Sequence, residues 1–423
     1  MTQLIPYPLP LITCTVLEGK KIVLGVSGSI AAYKAVFLLR LLVKARAEVK
    51  VIMTPSAKDF MAPLTFSSLS NNPVYIEFST PDGEWNNHVV LANWADMIVL
   101  APASANTIGK LALGLCDNLL LATVFSASCP VYIAPAMDRE MYTSDSIKKN
   151  IALLAKQNRH IIPSEEGELA SGLYGEGRMA EPEHIIRFIK ESYAKTLPLY
   201  GKKALVTAGP TYEAIDPVRF IGNHSSGKMG FAIAEELAKK GASVTLIHGP
   251  VNISTQHSAI KTIGVTSAEE MYNECMKIFY GTDITIMSAA VADYKPLKAS
   301  NQKIKKTDVN LHLELVPNPD ILAELGKKKT KTQLLIGFAL ETSDEIKNAS
   351  AKLEKKNLDA IVLNSMRSKG AGPGGDNNKI TIIDSSQRDP SGQNKMTKFE
   401  LKPKERVAGD IVSYVMKMLN VKF

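Results

Sequence analysis

Short apolar runs alternate with segments of helical periodicity along most of this chain. From residue 20, the run KIVLGVS is followed by apolar positions at helical spacing over residues 30–44, and then by the run EVKVIMT. Further Val/Ile/Leu-rich runs occupy residues 95–103 and 130–136. Continuous apolar strands that alternate with helices are typical of a parallel sheet covered by helices on both faces. The pattern therefore predicts an α/β protein with a doubly wound, mainly parallel sheet.

The same pattern begins again after residue 200, in the runs KALVTAG, SVTLIHG, DITIMSAA, QLLIGFAL and DAIVLN. Two last runs, NKITIID and TKFELK, have no helix between them, and residues 406–419 form an amphipathic final helix. A chain of 423 residues is long for a single core. We therefore predict two Rossmann-like domains, with these bounds: an N-terminal extension over 1–18, a first domain over 19–192, a linker over 193–200 and a second domain over 201–423.

The composition favours a globular cytoplasmic protein over a membrane protein or a nucleic-acid-binding protein. Apolar residues make up 45% of the chain and charged residues 22%, and no apolar run approaches the roughly 20 residues that cross a bilayer. The four cysteines form no CxxC pair, which favours reduced thiols in a cytoplasmic protein. The net charge of +8 is spread along the chain, and its basic runs at 302–306 and 326–331 lack interleaved aromatic residues. We expect no nucleic-acid partner and no membrane partner. These lysines are then either solvated or attract a phosphorylated small molecule.

The stretch 164–182 is rich in glycine and glutamate. It predicts a long loop, and long loops in compact domains are usually functional or mobile.

The first strand-to-helix junction, GVSGSIAAYK, is a candidate phosphate site. Its GxxGxxA spacing is a weak signal, because tight packing of helix on strand explains it about as often as phosphate binding does. The next strand ends in Met53 and Thr54, without the acidic residue that a dinucleotide ribose requires. This favours the phosphate of a mononucleotide. The hydroxyls of Ser27, Ser29 and Thr54 are expected to donate to this phosphate. The full set of candidate binding residues lies at the carboxyl ends of three strands: Ser27, Gly28, Ser29, Thr54, Ser104 and Asn106.

A second junction of this kind, IGNHSSGKMGFAIAEELAKKG, spans residues 221–241. Gly227 and Gly230 permit close approach of a phosphate to the start of a helix. Arg219 and Lys228 are either phosphate partners or members of a solvated face.

Six segments of the first half together resemble the flavin-mononucleotide-dependent cysteine decarboxylases, and specifically the decarboxylase half of the bifunctional enzymes of coenzyme A biosynthesis. They are VSGSIAAYK, MTPSAKDF, HVVLANWAD, APASANTIGK, PAMDREMY and GEGRM. The resemblance implies a flavodoxin-like domain that binds FMN and decarboxylates 4′-phosphopantothenoylcysteine. It also implies that His88 and Ser171 are catalytic, and that Met137, Asp138 and Arg178 bind the substrate.

Two of these positions depart from the family pattern. Asp138 stands where the family usually has an asparagine, whose amide donates to the substrate carboxylate. An ionised aspartate repels that carboxylate, so Asp138 must be protonated, re-aimed or differently used. Ser171 stands where the family usually has a cysteine, which is a stronger acid than serine. We interpret both as tolerated variants. The alternative is an active ligase whose first half binds flavin but is catalytically weak, structural or regulatory.

The second half resembles phosphopantothenate–cysteine ligase, the other half of the same enzymes. The resembling segments are TAGPTYEAIDPVRFIGNHSSGKMGFAIA, SAAVADYKP, KIKK, PNPDIL, GFALET and DNNKITIID. The resemblance implies that CTP, with Mg²⁺, activates the phosphopantothenate carboxylate as an acyl-cytidylate, which the amine of cysteine then attacks. It makes Asn223 and Lys303 catalytic. The positions it assigns to the nucleotide are Ala289, Asp293, Lys303, Pro317, Asn318, Pro319, Asp320, Phe338, Lys352 and Lys356.

The two halves are thus expected to catalyse consecutive steps on small-molecule substrates, in a homo-oligomer. A dinucleotide-dependent dehydrogenase is a third hypothesis, and the missing acidic residue after the second strand counts against it.

Overall fold

The computed structural model describes residues 16–80, 82–255, 257–305, 311–341, 343–365, 375–388 and 394–421. The chain forms two compact units, and the boundary between them lies between Tyr193 and Ala194. We call them the first unit and the second unit. The boundary falls at the start of the stretch that we predicted as a linker, although a helix continues through Lys195 and Leu199 packs in the core of the second unit. Leu17 is fully buried in the core of the first unit, so the last residues of the predicted N-terminal extension belong to that unit.

The first unit contains a six-stranded sheet. Its elements in chain order are β1 Lys21–Val26, α1 Ala32–Lys44, β2 Glu48–Met53, a 3-10 turn Pro55–Asp59, α2 Pro63–Ser70, β3 Val74–Tyr75, α3 His88–Trp94, β4 Met97–Ala103, α4 Ala105–Leu113, α5 Leu119–Ser126, β5 Val131–Pro135, α6 Arg139–Thr143, α7 Asp145–Lys156, β6 His160–Ile161, β7 Glu165–Glu168, β8 Tyr174–Arg178 and α8 Pro182–Lys195. The strands are ordered β3-β2-β1-β4-β5-β6, and every neighbouring pair is parallel.

Both faces of this sheet are buried, which explains why its strands read as continuous apolar runs. Val23 and Ile98 pack on one face, whereas Leu24 and Val99 pack on the other. Side chains of successive residues point to opposite faces of a strand, so a strand covered on both sides must be apolar throughout.

The stretch 164–182 is not a long loop, and that prediction was wrong. Strands β7 and β8 form an antiparallel hairpin within it, and α8 begins at Pro182. The hairpin closes through a turn in which the Gly172 N–H donates to the Leu169 carbonyl, and Gly172 has φ +80°. Its strand residues are mostly polar, so no apolar alternation announced them.

The second unit repeats the plan with a larger sheet. Its elements are β9 Lys203–Ala208, β10 Tyr212–Ala214, β11 Phe220–Gly222, α9 Lys228–Lys239, β12 Ser243–His248, β13 Ile260–Gly264, α10 Ala268–Phe279, β14 Ile284–Met287, β15 Tyr294–Pro296, β16 Leu315–Pro317, α11 Ile321–Lys328, β17 Leu334–Glu341, α12 Glu345–Lys355, β18 Ala360–Ser365, β19 Asn377–Asn378, β20 Ile380–Arg388, β21 Asn394–Lys398, β22 Lys402–Pro403 and α13 Lys404–Met418.

The main sheet of the second unit is ordered β13-β12-β9-β14-β17-β18-β20-β21. Its first six strands are parallel, and β20 and β21 add antiparallel to the edge at β18. The α/β class with doubly wound, mainly parallel sheets is therefore confirmed. The pattern did not predict the short hairpins β10–β11 and β15–β16.

In the part of the chain that the structure describes, no helix is both long enough and apolar enough to cross a membrane.

Candidate active sites

The switch point of the first sheet lies between β1 and β4. Here the strand order reverses, so the loops that leave the two carboxyl ends diverge and open a crevice. A serine pair joins the two loops. The Ser27 hydroxyl donates to the Pro102 carbonyl at 2.8 Å and accepts the Ser104 N–H at 2.8 Å. Ser27 was predicted to donate to a phosphate, but its hydrogen is used here and the side chain is buried. Its role in this structure is to join the two loops.

Main-chain N–H groups at this switch point fit a phosphate better than the predicted hydroxyls do. Among the described residues, the N–H groups of Gly28, Ser29, Ile30, Ala105 and Asn106 have no hydrogen-bond acceptor. They lie in the loop after β1 and in the first turn of α4. Unpaired amides at such positions form a ready-made anion site. The donor set therefore fits the phosphate of FMN.

The neighbouring strand end also contributes to the loop after β1. The Thr54 hydroxyl, after β2, lies 3.3 Å from that of Ser56. A Cβ on Gly28 would lie 2.5 Å from Ser56 Oγ, so the close contact between these loops requires glycine. The Asn106 side chain is exposed at the start of α4. Thr54, Gly28 and Asn106 thus lie at one edge of the sheet, as predicted for parallel strands.

A cavity of about 540 Å³ lies beside the loop after β1. All three predicted substrate-binding residues and Ser171 line it. Its walls come from the loop after β1, the loop after β5 and the β7–β8 hairpin. The lining residues that bear on the chemistry are Ser29, Lys34, Met137, Asp138, Glu168, Ser171 and Arg178. A cavity of this size holds a small organic ligand.

Asp138 and Ser171 contact each other in the wall of the cavity. Ser171 Oγ donates to Asp138 Oδ1 at 2.9 Å, and the Arg139 N–H donates to the same oxygen at 2.9 Å. Of the three possibilities left open for Asp138, this geometry favours a different use, in which the side chain accepts hydrogen bonds instead of donating one. The Ser171 hydrogen is likewise directed at Asp138.

Two cations lie in the cavity wall, and both contact one glutamate. Lys34 is almost fully buried and donates to the Met179 carbonyl at 2.8 Å and to Glu181 at 2.9 Å. Arg178 donates to the same Glu181 oxygen at 2.7 Å and keeps its other N–H groups for further partners. Arg178 is therefore the cation of the wall with the most free donors.

His88 opens α3, where Asn87 caps the helix by accepting two main-chain N–H groups. Its ring meets Phe78 edge to face at 6.1 Å, and its buried Nδ1 has no hydrogen-bond partner among the residues that the structure describes. His88 is not among the described residues that line the cavity. Its catalytic role stays a prediction.

The switch point of the second sheet lies between β9 and β14, and it brings together several predicted residues. The loop after β14 is held by donors and acceptors from its surroundings. Asn223 Nδ2 donates to the Val291 carbonyl at 2.9 Å, and Asn318 Nδ2 donates to the Ala292 carbonyl at 2.9 Å. The Asn318 N–H donates to the Asp293 carbonyl at 2.8 Å. Both asparagines therefore contact the loop that was predicted to bind the nucleotide.

The start of that loop is held by the first strand of the unit. The Ala289 N–H donates to the Thr207 hydroxyl at 3.2 Å. Pro317 ends β16, which pairs with β15 directly after the loop, and Pro319 follows. The Asn318 Oδ1 atom is buried and has no hydrogen-bond partner within the described part of the chain. It is an acceptor available to a bound ligand.

Two lysines approach from α12 and its carboxyl end. Lys352 donates to the Phe338 carbonyl at 2.9 Å, and burial, with the nearby Lys356 charge, lowers the Lys352 pKa. Lys356 forms an ion pair with Asp320 at 2.9 Å. Burial opposes ionisation of Asp320, but the hydrogen bonds from Lys356 and from the Ala323 N–H hold its pKa below the usual range. Lys352 and Lys356 are thus neighbours at the end of α12, and their contact with the nucleotide stays a prediction.

Lys303 is exposed and lies next to a tightly held residue, Ile304. Asp216 accepts the Ile304 N–H at 3.1 Å, and Arg219 donates to the Ile304 carbonyl at 2.7 Å. Arg219 also binds Asp216 through two nitrogens, which helps to hold the Asp216 pKa far below its usual range. Arg219 is thus a structural partner here. Lys228 forms an ion pair with Asp376.

No group of three or more His, Cys, Asp or Glu side chains suited to a metal ion occurs among the described residues. Of the cysteines predicted to be reduced, Cys116, Cys129 and Cys275 are free thiols, and Cys14 lies outside the described residues. Burial raises the pKa of the Cys275 thiol to about 12, which makes it inert.

Comparison with known proteins accounts for both units. Residues 12–194 match the Flavoprotein family, and residues 199–419 match the family described as the DNA/pantothenate metabolism flavoprotein C-terminal domain. The coenzyme A biosynthesis bifunctional protein CoaBC of Bacillus subtilis is 46% identical over 370 residues, which cover 87% of this chain and 91% of that protein. The chain belongs to the CoaBC family.

Two further relatives cover a similar length. The CoaBC protein of Haemophilus influenzae is 42% identical over 401 residues, or 95% of this chain and 98% of that protein. A cysteine/cysteine sulfinic acid decarboxylase from an unknown prokaryotic organism is 50% identical over 365 residues, or 85% of this chain and all of that protein. The similarity to the CoaBC proteins extends over both units.

Two residues of these sites were missed by the sequence analysis. Lys34 belongs to the helical pattern of α1, and a lysine there is ordinarily solvated. Asp216 lies in a turn, and its main partner beyond that turn, Ile304, is 88 residues away along the chain. An isolated charged residue inside an apolar helix pattern, such as Lys34, was the one available clue.

Proposed function

We propose that the second unit joins cysteine to 4′-phosphopantothenate with CTP, and that the first unit decarboxylates the product to 4′-phosphopantetheine with FMN. The observation that carries the proposal is the position of predicted residues of both units at the switch points of the sheets, in a chain of the CoaBC family. They include Gly28 and Asn106 in the first unit and Asn223 and Asn318 in the second. Ligands of open α/β sheets bind at such points.

In the second unit, the carboxylate must first be activated because a carboxylate does not react with an amine. Attack on the α-phosphate of CTP gives an acyl-cytidylate and pyrophosphate, and the cysteine amine then displaces cytidine monophosphate. Both steps concentrate negative charge, which Lys303, Lys352 and Lys356 would offset. Asn223 would orient the activated acyl group. Asp293, Asn318 and Asp320 would contact the nucleotide.

Magnesium would be bound mainly by the phosphate oxygens of CTP. Mg²⁺ keeps several waters and usually takes one or two carboxylates together with substrate phosphates. A dedicated cluster of protein ligands is therefore not required for this proposal.

In the first unit, FMN supplies reversible hydride acceptance when it is bound. The main-chain N–H groups at Gly28–Ile30 and Ala105–Asn106 would hold its phosphate. Arg178 would attract the carboxylate of the substrate, and the cavity wall would keep water from the reacting carbon. His88 would act as an acid–base group through its unpartnered Nδ1, and Ser171 would fix the orientation of Asp138.

The proposal includes a homo-oligomer in the cytoplasm, where cysteine stays reduced. Support for assembly comes from an apolar stripe at and along α1. Ile30, Tyr33 and Phe37 are 60%, 47% and 56% exposed and lie at helical spacing. Light scattering of the purified protein tests this part. A monomer would contradict it.

One incubation tests the main proposal. Purified protein with bound FMN is mixed with phosphopantothenate, cysteine, CTP and magnesium, and the products are identified by mass spectrometry. We expect 4′-phosphopantetheine. Accumulation of phosphopantothenoylcysteine would contradict the decarboxylase assignment, and the absence of both products would contradict the ligase assignment.

A further inference from the structure

The cavity of the first unit carries charges of both signs. Asp138 and Glu168 are carboxylates of its wall, and Lys34 and Arg178 are its cations. Glu181 already binds both cations, so their positive charge is partly offset. A wall of this kind has no net excess of positive charge. It suits a ligand that itself carries both charges better than one that carries only negative charge.

Asp138 has one oxygen to spare. Its Oδ1 accepts from the Arg139 N–H and from Ser171, whereas its Oδ2 has no donor among the described residues. The side chain is half-buried at the cavity wall. A partly buried carboxylate oxygen without a donor is stabilised most by a cationic donor. An asparagine at this position would offer no negative charge.

We propose that Asp138 adapts this cavity to free L-cysteine, whose ammonium group it binds while Arg178 binds the carboxylate. This inference rests on the proposed flavin-dependent chemistry of the first unit and adds a second substrate class, zwitterionic thiol amino acids. In phosphopantothenoylcysteine, the corresponding nitrogen is an uncharged amide. Asp138 is therefore a specificity-determining residue that favours a free ammonium over an acylated nitrogen.

The added reaction is balanced and needs no external oxidant. The bond from the α-carbon to the carboxylate breaks, carbon dioxide leaves, and a proton takes its place on that carbon, which gives cysteamine. The hydride withdrawn from the thiol-bearing carbon before decarboxylation is returned to it afterwards, so there is no net oxidation. The α-ammonium is unchanged and remains paired with Asp138 throughout.

The substitution Asp138→Asn tests the negative charge of the side chain while keeping its shape. Asparagine keeps the Oδ1 acceptor for Ser171 and for the helix start, so the fold is retained, but the negative charge is lost. We expect the kcat/KM for L-cysteine to fall by about tenfold or more, as befits a charge-assisted contact. The kcat/KM for phosphopantothenoylcysteine should stay the same or rise. Glu176→Gln, an exposed acid-to-amide change in β8, is the matched control and should alter neither value.

Binding gives a readout that is independent of turnover. S-methyl-L-cysteine has no free thiol, and its N-acetyl derivative also lacks the ammonium. Titration calorimetry should show that the protein prefers S-methyl-L-cysteine, and that Asp138→Asn removes the preference. Equal affinity of the wild type for the two compounds would overturn the inference.

The outcomes separate this inference from the proposed function. If phosphopantothenoylcysteine is decarboxylated and L-cysteine yields no cysteamine, the inference is overturned and the proposed function stands. If neither is decarboxylated but the Asp138-dependent preference in binding persists, the proposed decarboxylase fails while the ammonium contact is supported. If Asp138→Asn lowers turnover of both substrates equally, Asp138 does not determine specificity.

Discussion

The proposed sites of the two units lie at the switch point of similar sheets. The groups that would bind phosphate there differ between the two units. In the first unit, a short loop over 27–31 joins β1 directly to α1. The proposed anion donors are main-chain N–H groups that have no acceptor among the described residues. In the second unit, the segment 209–227 includes a hairpin before α9. Here the proposed source of positive charge is a set of lysines from other parts of the chain.

We attribute this difference to the size of the charge that each unit is proposed to bind. One phosphate monoester is small enough for a loop and a helix start to surround it with amides. A triphosphate that also loses pyrophosphate builds up charge over several atoms, and movable cationic side chains can follow that charge. Two similar folds thus support two chemistries because their loops differ.

The strongest test of the comparison is the loss of a lysine from the second unit. We expect Lys303→Ala to lower ligation roughly 100- to 1,000-fold, because charge on the acyl-phosphate is no longer offset. Decarboxylation of added phosphopantothenoylcysteine should be unchanged. Lys298→Gln, an exposed charge removal nearby, is the control. Equal loss in both variants would show that only general charge attraction matters.

The next effect concerns the residues that hold Lys303 in place. Asp216→Ala frees Arg219 and removes an acceptor of the Ile304 N–H. We expect ligation to fall about tenfold or more, with most of the change in kcat, because a misplaced catalytic group costs rate. Steady-state kinetics of ligation measures it. An unchanged kcat would mean that the Lys303 segment is positioned by other contacts.

A smaller effect is expected from a methyl group in the first unit. The added Cβ of Gly28→Ala clashes with Ser56, so the loop must shift. Its main-chain N–H groups then no longer point at one phosphate position. We expect FMN affinity, measured by fluorescence titration, to fall about tenfold. Gly109→Ala adds a Cβ whose nearest neighbour is 3.7 Å away, and it should bind FMN normally. If both variants bind normally, the phosphate is not held at the Gly28 loop.

The smallest effect is expected for Tyr414→Phe, which changes the stability of the second unit and should leave both activities intact. Tyr414 donates to the buried Asp384 at 2.9 Å, and burial, together with this hydrogen bond, raises the Tyr414 pKa to about 12. The contribution of Tyr414 to stability is therefore complete below about pH 10, its unfolded value, and is lost as pH rises towards 12.

Tyr414→Phe should lower the free energy of unfolding by about 1–3 kcal/mol at neutral pH. Urea midpoints measured from pH 7 to 11 should fall more steeply for the wild type above pH 10. Parallel curves for the two proteins would exclude a raised Tyr414 pKa.

The sequence predicts the sheets well because the physics of their strands is local. Strands such as β4 and β14 are buried on both faces, so every position is apolar and the runs stand out. The β7–β8 hairpin was missed because its strands are mostly polar. They are recognised as strands through their antiparallel pairing, which the apolar pattern does not predict. The order of strands then places residues from distant segments at one switch point, as expected for an open α/β sheet.

The remaining details depend on contacts that no local pattern encodes. Ser27 and Pro102 are 75 residues apart, so the use of the serine hydroxyl as a structural tie could not be foreseen. The Ser171–Asp138 bond spans 33 residues. Both family departures meet in that one contact, and only the folded chain shows that they are partners.

The most direct test of two separate, consecutive sites is a mixing experiment with two variants, His88→Asn and Lys303→Ala. Each is incubated alone, and both together, with phosphopantothenate, cysteine, CTP and magnesium, and products are followed by mass spectrometry. We predict that His88→Asn accumulates phosphopantothenoylcysteine, that Lys303→Ala forms almost none, and that the mixture yields 4′-phosphopantetheine. A mixture that yields no phosphopantetheine, or a His88→Asn protein that has also lost ligation, would contradict the account.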